Sequence, residues 1–251
     1  MSPRLLGLLL WLTALTSSSL PALTARAQEV TIRHERDEVP VDLRIKRDPN
    51  ATWSDVHDGR SFGWFAAGAI SGFFLHEAGH VFANLVQGNV PQFQGILGFG
   101  FIPFFTIAPR IYCEDARCYK HDGSEFWSGP RGKFAITSAG YNVQHLTDEI
   151  LLTRTPDLRY RVAPFRKGLL AFNVLLSVGY ATAALTGIEN PQGDLSSSAR
   201  LIGFHPAYYA SMLLVPAVMD TYRYFRPDSR WAPWVSRTGK AAVIGLLFAL
   251  P

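Results

Sequence analysis

Phe62-Gly-Trp-Phe-Ala-Ala-Gly-Ala-Ile-Ser-Gly-Phe-Phe-Leu75 runs without a charge into His76-Glu77-Ala78-Gly79-His80, and Val81-Phe-Ala-Asn-Leu-Val86 continues the apolar run. The reading of this stretch decides the fold. It is long enough for a membrane helix, and three polar side chains stand in it where hydrocarbon belongs. On a helix, residues four apart lie one above the other. His76 and His80 can therefore share one zinc ion while Glu77, a step around the helix, faces a water on that metal. Zinc lowers the pKa of its water and polarises a carbonyl, and Glu77 is placed to move the water's proton to a leaving amine. Peptide hydrolysis is the chemistry that fits. A coincidental motif would carry a penalty here, because an aspartate or basic side chain at a membrane-helix centre costs about 2.5–3.5 kcal/mol on insertion scales.

The rest of the chain repeats the apolar theme. Of 251 residues, 48% are hydrophobic and 18% charged, and the apolar ones gather into blocks at 134–152, 168–187, 202–225 and 241–250. The expected fold is an all-α multi-pass membrane protein with about four to five membrane helices. The last block is too short to span alone, since a crossing needs about 20 residues. The first block differs: Arg4, the leucine-rich 5–15, Thr-Ser-Ser-Ser19 and Ala25-Arg26-Ala27 read as a cleaved signal peptide over 1–27. An uncleaved anchor is the rival, and either leaves Gln28 outside the cytoplasm. Residues 28–60 read as an extracytoplasmic lead-in with one or two short strands at Val30-Thr-Ile32 and 39–46. Residues 61–251 form the polytopic, metalloprotease-like domain.

Loop charge orients the helices. Arg154, Arg159, Arg161, Arg166 and Lys167 cluster in one connection, and Arg223, Arg226, Arg230, Arg237 and Lys240 in another, so both are expected in the cytoplasm. These loops account for the net charge of +4, so no nucleic-acid partner is implied. Cys113 and Cys118 read as an extracytoplasmic disulfide rather than a zinc site, for which His121 is the only further ligand nearby. If both Gln28 and the disulfide lie outside, a segment between 87 and 111 must return the chain across the membrane. Pro91 to Pro109, apolar and broken by glycine and proline, is expected to do so as a re-entrant or hairpin element beside the site.

A catalytic zinc usually takes three protein ligands. Asp220, late in an otherwise apolar helix, is the favoured third, because its helix and that of His76 are both expected to run inward. Glu149, Asp148 and His145 are the alternatives, since intramembrane polar groups mark sites without naming roles. Gly68, Gly72, His76, His80 and Asn84 fall at steps of four, so a second helix can approach the ridge closely.

With His76-Glu77-Ala78-Gly79-His80 in a membrane helix, a glycine-rich apolar hairpin after it and Pro216-Ala-Val-Met-Asp220 on a later helix, the chain resembles the site-2 protease family of intramembrane zinc metalloproteases. The resemblance implies Asp220 as third ligand, Glu77 as catalytic residue, and a membrane protein or peptide as substrate. It covers about 61–225, and only the first motif is specific. Thr221 stands where the family has glycine, only Gly140-Tyr-Asn142 answers the family's Gly-Pro-x-x-Asn motif, and two apolar segments rather than one precede Asp220. The expected location is the lipid bilayer, the cytoplasmic membrane if the source is bacterial. Seven dispersed histidines argue against a di-iron oxygenase. A non-catalytic membrane protein with a structural zinc site, or a degenerate protease, is the alternative, against which the intact Glu77 speaks.

Overall fold

The computed structural model describes residues 47–98, 102–108, 110–114, 117–188, 190–191 and 193–249. The expected signal peptide and the strands expected over 28–46 lie outside the described residues. The protein is mostly helical: α1 Gly59–Val86, α2 Gly129–Arg154, α3 Pro164–Thr186, α4 Asp194–Leu201, α5 Pro206–Phe225 and α6 Ala232–Gly245. Two antiparallel hairpins stand between α1 and α2: β1 Gln92–Gly98 with β2 Ile102–Ala108, and β3 Tyr112–Glu114 with β4 Arg117–Tyr119. The glycine-rich segment is thus a β-hairpin.

Local chemistry sets the helix limits. Asp58 caps α1 by accepting from the Ser61 backbone at 2.7 Å while the Ser61 hydroxyl accepts from the Asp58 backbone at 3.0 Å, a reciprocal capping box. Those Ser61 donors hold the Asp58 carboxyl below the usual carboxylate range. Proline at the first position starts α3, and Gly187, at φ 71°, ends it, as expected of residues that suit a first turn and a left-handed cap. The apolar block over 202–225 becomes α5; Gly203 at φ 70° and Pro206 separate it from α4, and the pair is bent by 111°.

Side-chain pairs give the helix directions. His80 meets Ile136 and His76 meets Gln144, so α2 runs antiparallel to α1. Gly68 lies against Phe165 and Leu169, and Gly72 against Phe172, so α3 runs with α1. α6 returns along α5, with Lys240 against Asp220 and Gly239 against Pro216. A core of Phe134, Tyr141, Tyr209, Leu213 and Val243 joins α2, α5 and α6.

The two ends of this bundle differ. At one, the residues leading into α1 are pinned to the α2–α3 loop and to the end of α5: the Asp48 N–H donates to the Tyr160 carbonyl at 3.0 Å, Asp55 pairs with Lys167 at 2.8 Å, and the Tyr224 hydroxyl donates to the Trp53 carbonyl at 2.6 Å. At the other, Ser128 donates to Gln87 and Lys120 to the Gly88 carbonyl at 3.0 Å. The chain therefore leaves α1 and enters α2 at the same end. This corrects the expected topology. The β1–β2 hairpin does not carry the chain across, and residues 48–55 share their end with the two basic loops, while the Cys113–Cys118 disulfide occupies the other end.

By length and apolarity α3 qualifies as a membrane-crossing helix, and the α4–α5 pair qualifies if taken as one bent span.

Candidate metal centre

His76 and His80 stand one turn apart on α1, both buried, with Nε2 atoms 3.2 Å apart. Asp194, the first residue of α4, closes the group: its Oδ2 lies 3.5 Å from His76 Nε2 and 3.2 Å from His80 Nε2. Among the described residues this is the one group of three potential ligands drawn together.

The hydrogen bonds behind the rings fix what the rings present. His80 Nδ1 lies 2.7 Å from the Ile136 carbonyl; a carbonyl only accepts, so Nδ1 carries a hydrogen and the ring is held with Nε2 turned to Asp194. His76 Nδ1 lies 3.1 Å from Gln144 Oε1. The Gln144 amide is oriented from behind, its Nε2 donating to Asn173 Oδ1 at 3.5 Å, and Asn173 Nδ2 donating to Asp148 Oδ1 at 2.7 Å. The two Nε2 atoms and the Asp194 carboxylate oxygen therefore converge, a donor set that could hold a metal ion. Zinc–nitrogen bonds of about 2.0–2.1 Å in a tetrahedron place neighbouring ligand atoms about 3.3 Å apart. The observed 3.2, 3.2 and 3.5 Å edges fit that spacing.

Close packing holds the rings. A Cβ on Gly140 would fall on the His76 ring, and one on Gly79 would lie 2.8 Å from the Ala139 carbonyl. α2 can approach the histidines only because both positions lack a side chain. Tyr141 packs edge-on against the His76 ring, centroids 5.8 Å apart. Glu77 is buried and accepts the backbone N–H of Ile107 in β2 at 3.0 Å, which sets the hairpin beside the site.

Asp220 is not brought to the histidines. Its carboxylate accepts from Ser236 at 2.6 Å and from Arg223 at 3.1 Å and pairs with Lys240 at 2.8 Å. The carboxylate brought to the histidines is Asp194, not the expected Asp220, and the reason is directional: α5 runs opposite to α1, so the later halves of the two helices lie at opposite ends. Of the alternatives, Glu149 pairs with Arg223, Arg237 and Lys240, Asp148 anchors the amide relay to His76, and His145 is buried on α2 outside the ligand group. In sequence Asp194 carries no mark of a ligand, because an aspartate at a helix start reads as an ordinary favourable charge at the dipole's positive end; the signal it offers is Asn190-Pro-Gln-Gly193-Asp194, an acid between two apolar blocks.

No family model, curated protein or solved structure matches the chain.

Proposed function

We propose that the protein is a membrane-embedded zinc metalloprotease, with His76, His80 and Asp194 as metal ligands and Glu77 as general base. The observation that carries the reading is the convergence of three ligand atoms at tetrahedral spacing beside a buried glutamate. A bound zinc ion would supply Lewis acidity to a peptide carbonyl and to water. The chain's own residues do the rest. Glu77 takes the proton of the attacking water as its oxygen bonds to the carbonyl carbon, then delivers that proton to the amide nitrogen as the carbon–nitrogen bond breaks. The Ile107 N–H holds the Glu77 carboxylate, while Ile136 and Gln144 hold the Nδ1 atoms and so aim the Nε2 atoms inward.

Multi-pass membrane placement belongs to the same proposal, supported by an inverted distribution of polarity. The buried positions of α1, α2 and α3 include His76, Glu77, Asn84, Gln144, Asp148 and Asn173, whereas Phe62, Ile70, Phe74, Phe82, Ile150 and Leu175 face outward. A protein in water buries the second kind and exposes the first; apolar surface on this scale needs an apolar neighbour.

The test is zinc content and turnover of labelled casein and of a transmembrane-peptide library by the full chain in detergent. Wild type should hold about one zinc and cleave, and Glu77→Gln should keep the metal while turnover falls about a hundredfold or more. Asp194→Asn should lose metal. Undiminished turnover in Glu77→Gln overturns the mechanism, and zinc-loaded wild type that cleaves neither probe leaves a structural zinc site instead.

A further inference from the structure

We infer that the metal centre opens on the extracytoplasmic side of the membrane, so that the polypeptide it acts on is presented from outside. The inference rests on the membrane-spanning reading above. It deepens that reading by assigning the compartment from which substrate comes.

Depth comes first. At a rise of about 1.5 Å per residue, His80 lies roughly 9 Å from the Val86 end of α1, and His76 lies about 25 Å from its Gly59 end. Asp194 lies in the connection at the same end as Val86. Its side chain is 18% exposed against 3% and 1% for the two histidines, so the approach to the ligand atoms runs past Asp194. The Glu77 carboxylate is likewise reached by β2, from the hairpin at this end. The site therefore belongs to the end that carries the disulfide.

Two independent chemical markers then give that end its compartment. The Cys113–Cys118 disulfide persists in oxidising surroundings and is rare in cytosol. At the opposite end Arg154, Arg159, Arg161, Arg166, Arg226 and Arg230 crowd in or beside two short connections, while at the disulfide end residues 187–205 carry Arg200 as their sole lysine or arginine and the long connection 87–128 spreads Arg110, Arg117 and Lys120 over its length. Short loops rich in lysine and arginine stay in the cytoplasm. Both markers put the disulfide end outside.

The same assignment puts Asp48, Trp53 and Asp55 on the cytoplasmic side, because they are bonded to the basic end.

The test uses the full chain in spheroplasts of a bacterial host, with a membrane-impermeant maleimide and one new cysteine at a time. Ile188→Cys reports the disulfide end and Asp228→Cys the basic end; both positions are exposed. Labelling of Ile188→Cys in intact spheroplasts, with Asp228→Cys labelled only after permeabilisation, is the expected result. The reverse pattern overturns the inference and leaves the membrane reading standing. Labelling of both in intact spheroplasts, or of both only after permeabilisation, removes the membrane between the two ends and overturns both readings. Wild type supplies a measurement independent of any variant: with a membrane-permeant maleimide and no reductant, Cys113 and Cys118 should resist alkylation in intact cells, and alkylation of both overturns the sidedness.

Discussion

His76 is held by an acceptor it cannot do without. Its Nδ1 hydrogen meets Gln144 Oε1, and that amide is turned the right way by Asn173 and Asp148 behind it. Gln144→Leu keeps much of the volume but removes the acceptor, which frees the ring to rotate or to change tautomer. Loss of such outer partners commonly costs 10–100-fold in metal affinity, and a fall of about that size is expected when a chelating dye competes for zinc. Retained affinity would show that Gln144 merely fills space. At this scale the sequence was legible where the spacing itself is the chemistry: two histidines and a glutamate within five residues announce their geometry on any helix. Asp194 and Gln144 carry no such mark, because their roles depend on which helices become neighbours.

Helix contact explains the glycines. Gly68 on α1 and Gly168 on α3 face each other at a crossing where a Cβ on either would fall on the other helix's backbone, at the Phe165 and Phe65 carbonyls. Close backbone approach of this kind is the established use of small residues between membrane helices. Gly168→Leu should push α3 away and lower stability by about 1–3 kcal/mol or more, as overpacking of a tight contact does. The measurement is the thermal midpoint in detergent of the variant against wild type, with Gly179→Leu as control, since nothing stands within 4 Å of a Cβ there. Equal midpoints for Gly168→Leu and wild type would refute the close-packing role. The ridge of small residues was visible in the sequence, and so were α3 and the hairpin. The short α4 was not, because Asp194-Leu-Ser-Ser-Ser-Ala-Arg-Leu201 is polar and reads as a loop; Gly203 and Pro206 then turn the chain by 111° into α5.

Across the whole molecule, the polar centres divide by end. The metal group lies toward the disulfide end, and a second buried cluster lies toward the basic end, where Asp220 and Glu149 receive Arg223, Arg237 and Lys240 from α5 and α6. The carboxylate expected to complete the metal site instead ties α5 to α6 and, through Arg223, to α2. Each role predicts a different failure. Asp220→Asn leaves the buried Lys240 ammonium and Arg223 guanidinium to share the single carboxylate of Glu149, and breaking a buried pair on one side costs about 3–5 kcal/mol. The variant should therefore unfold at markedly lower temperature or denaturant while its folded fraction keeps about one zinc. Lys240→Met removes the stranded cation, so the double variant Asp220→Asn, Lys240→Met should recover part of the loss, a coupling measurable in a double-mutant cycle. A metal ligand would behave the other way: Asp220→Asn would shed zinc without help from Lys240→Met. Zinc loss in Asp220→Asn at temperatures where the chain stays folded would return Asp220 to the metal and remove Asp194 from it.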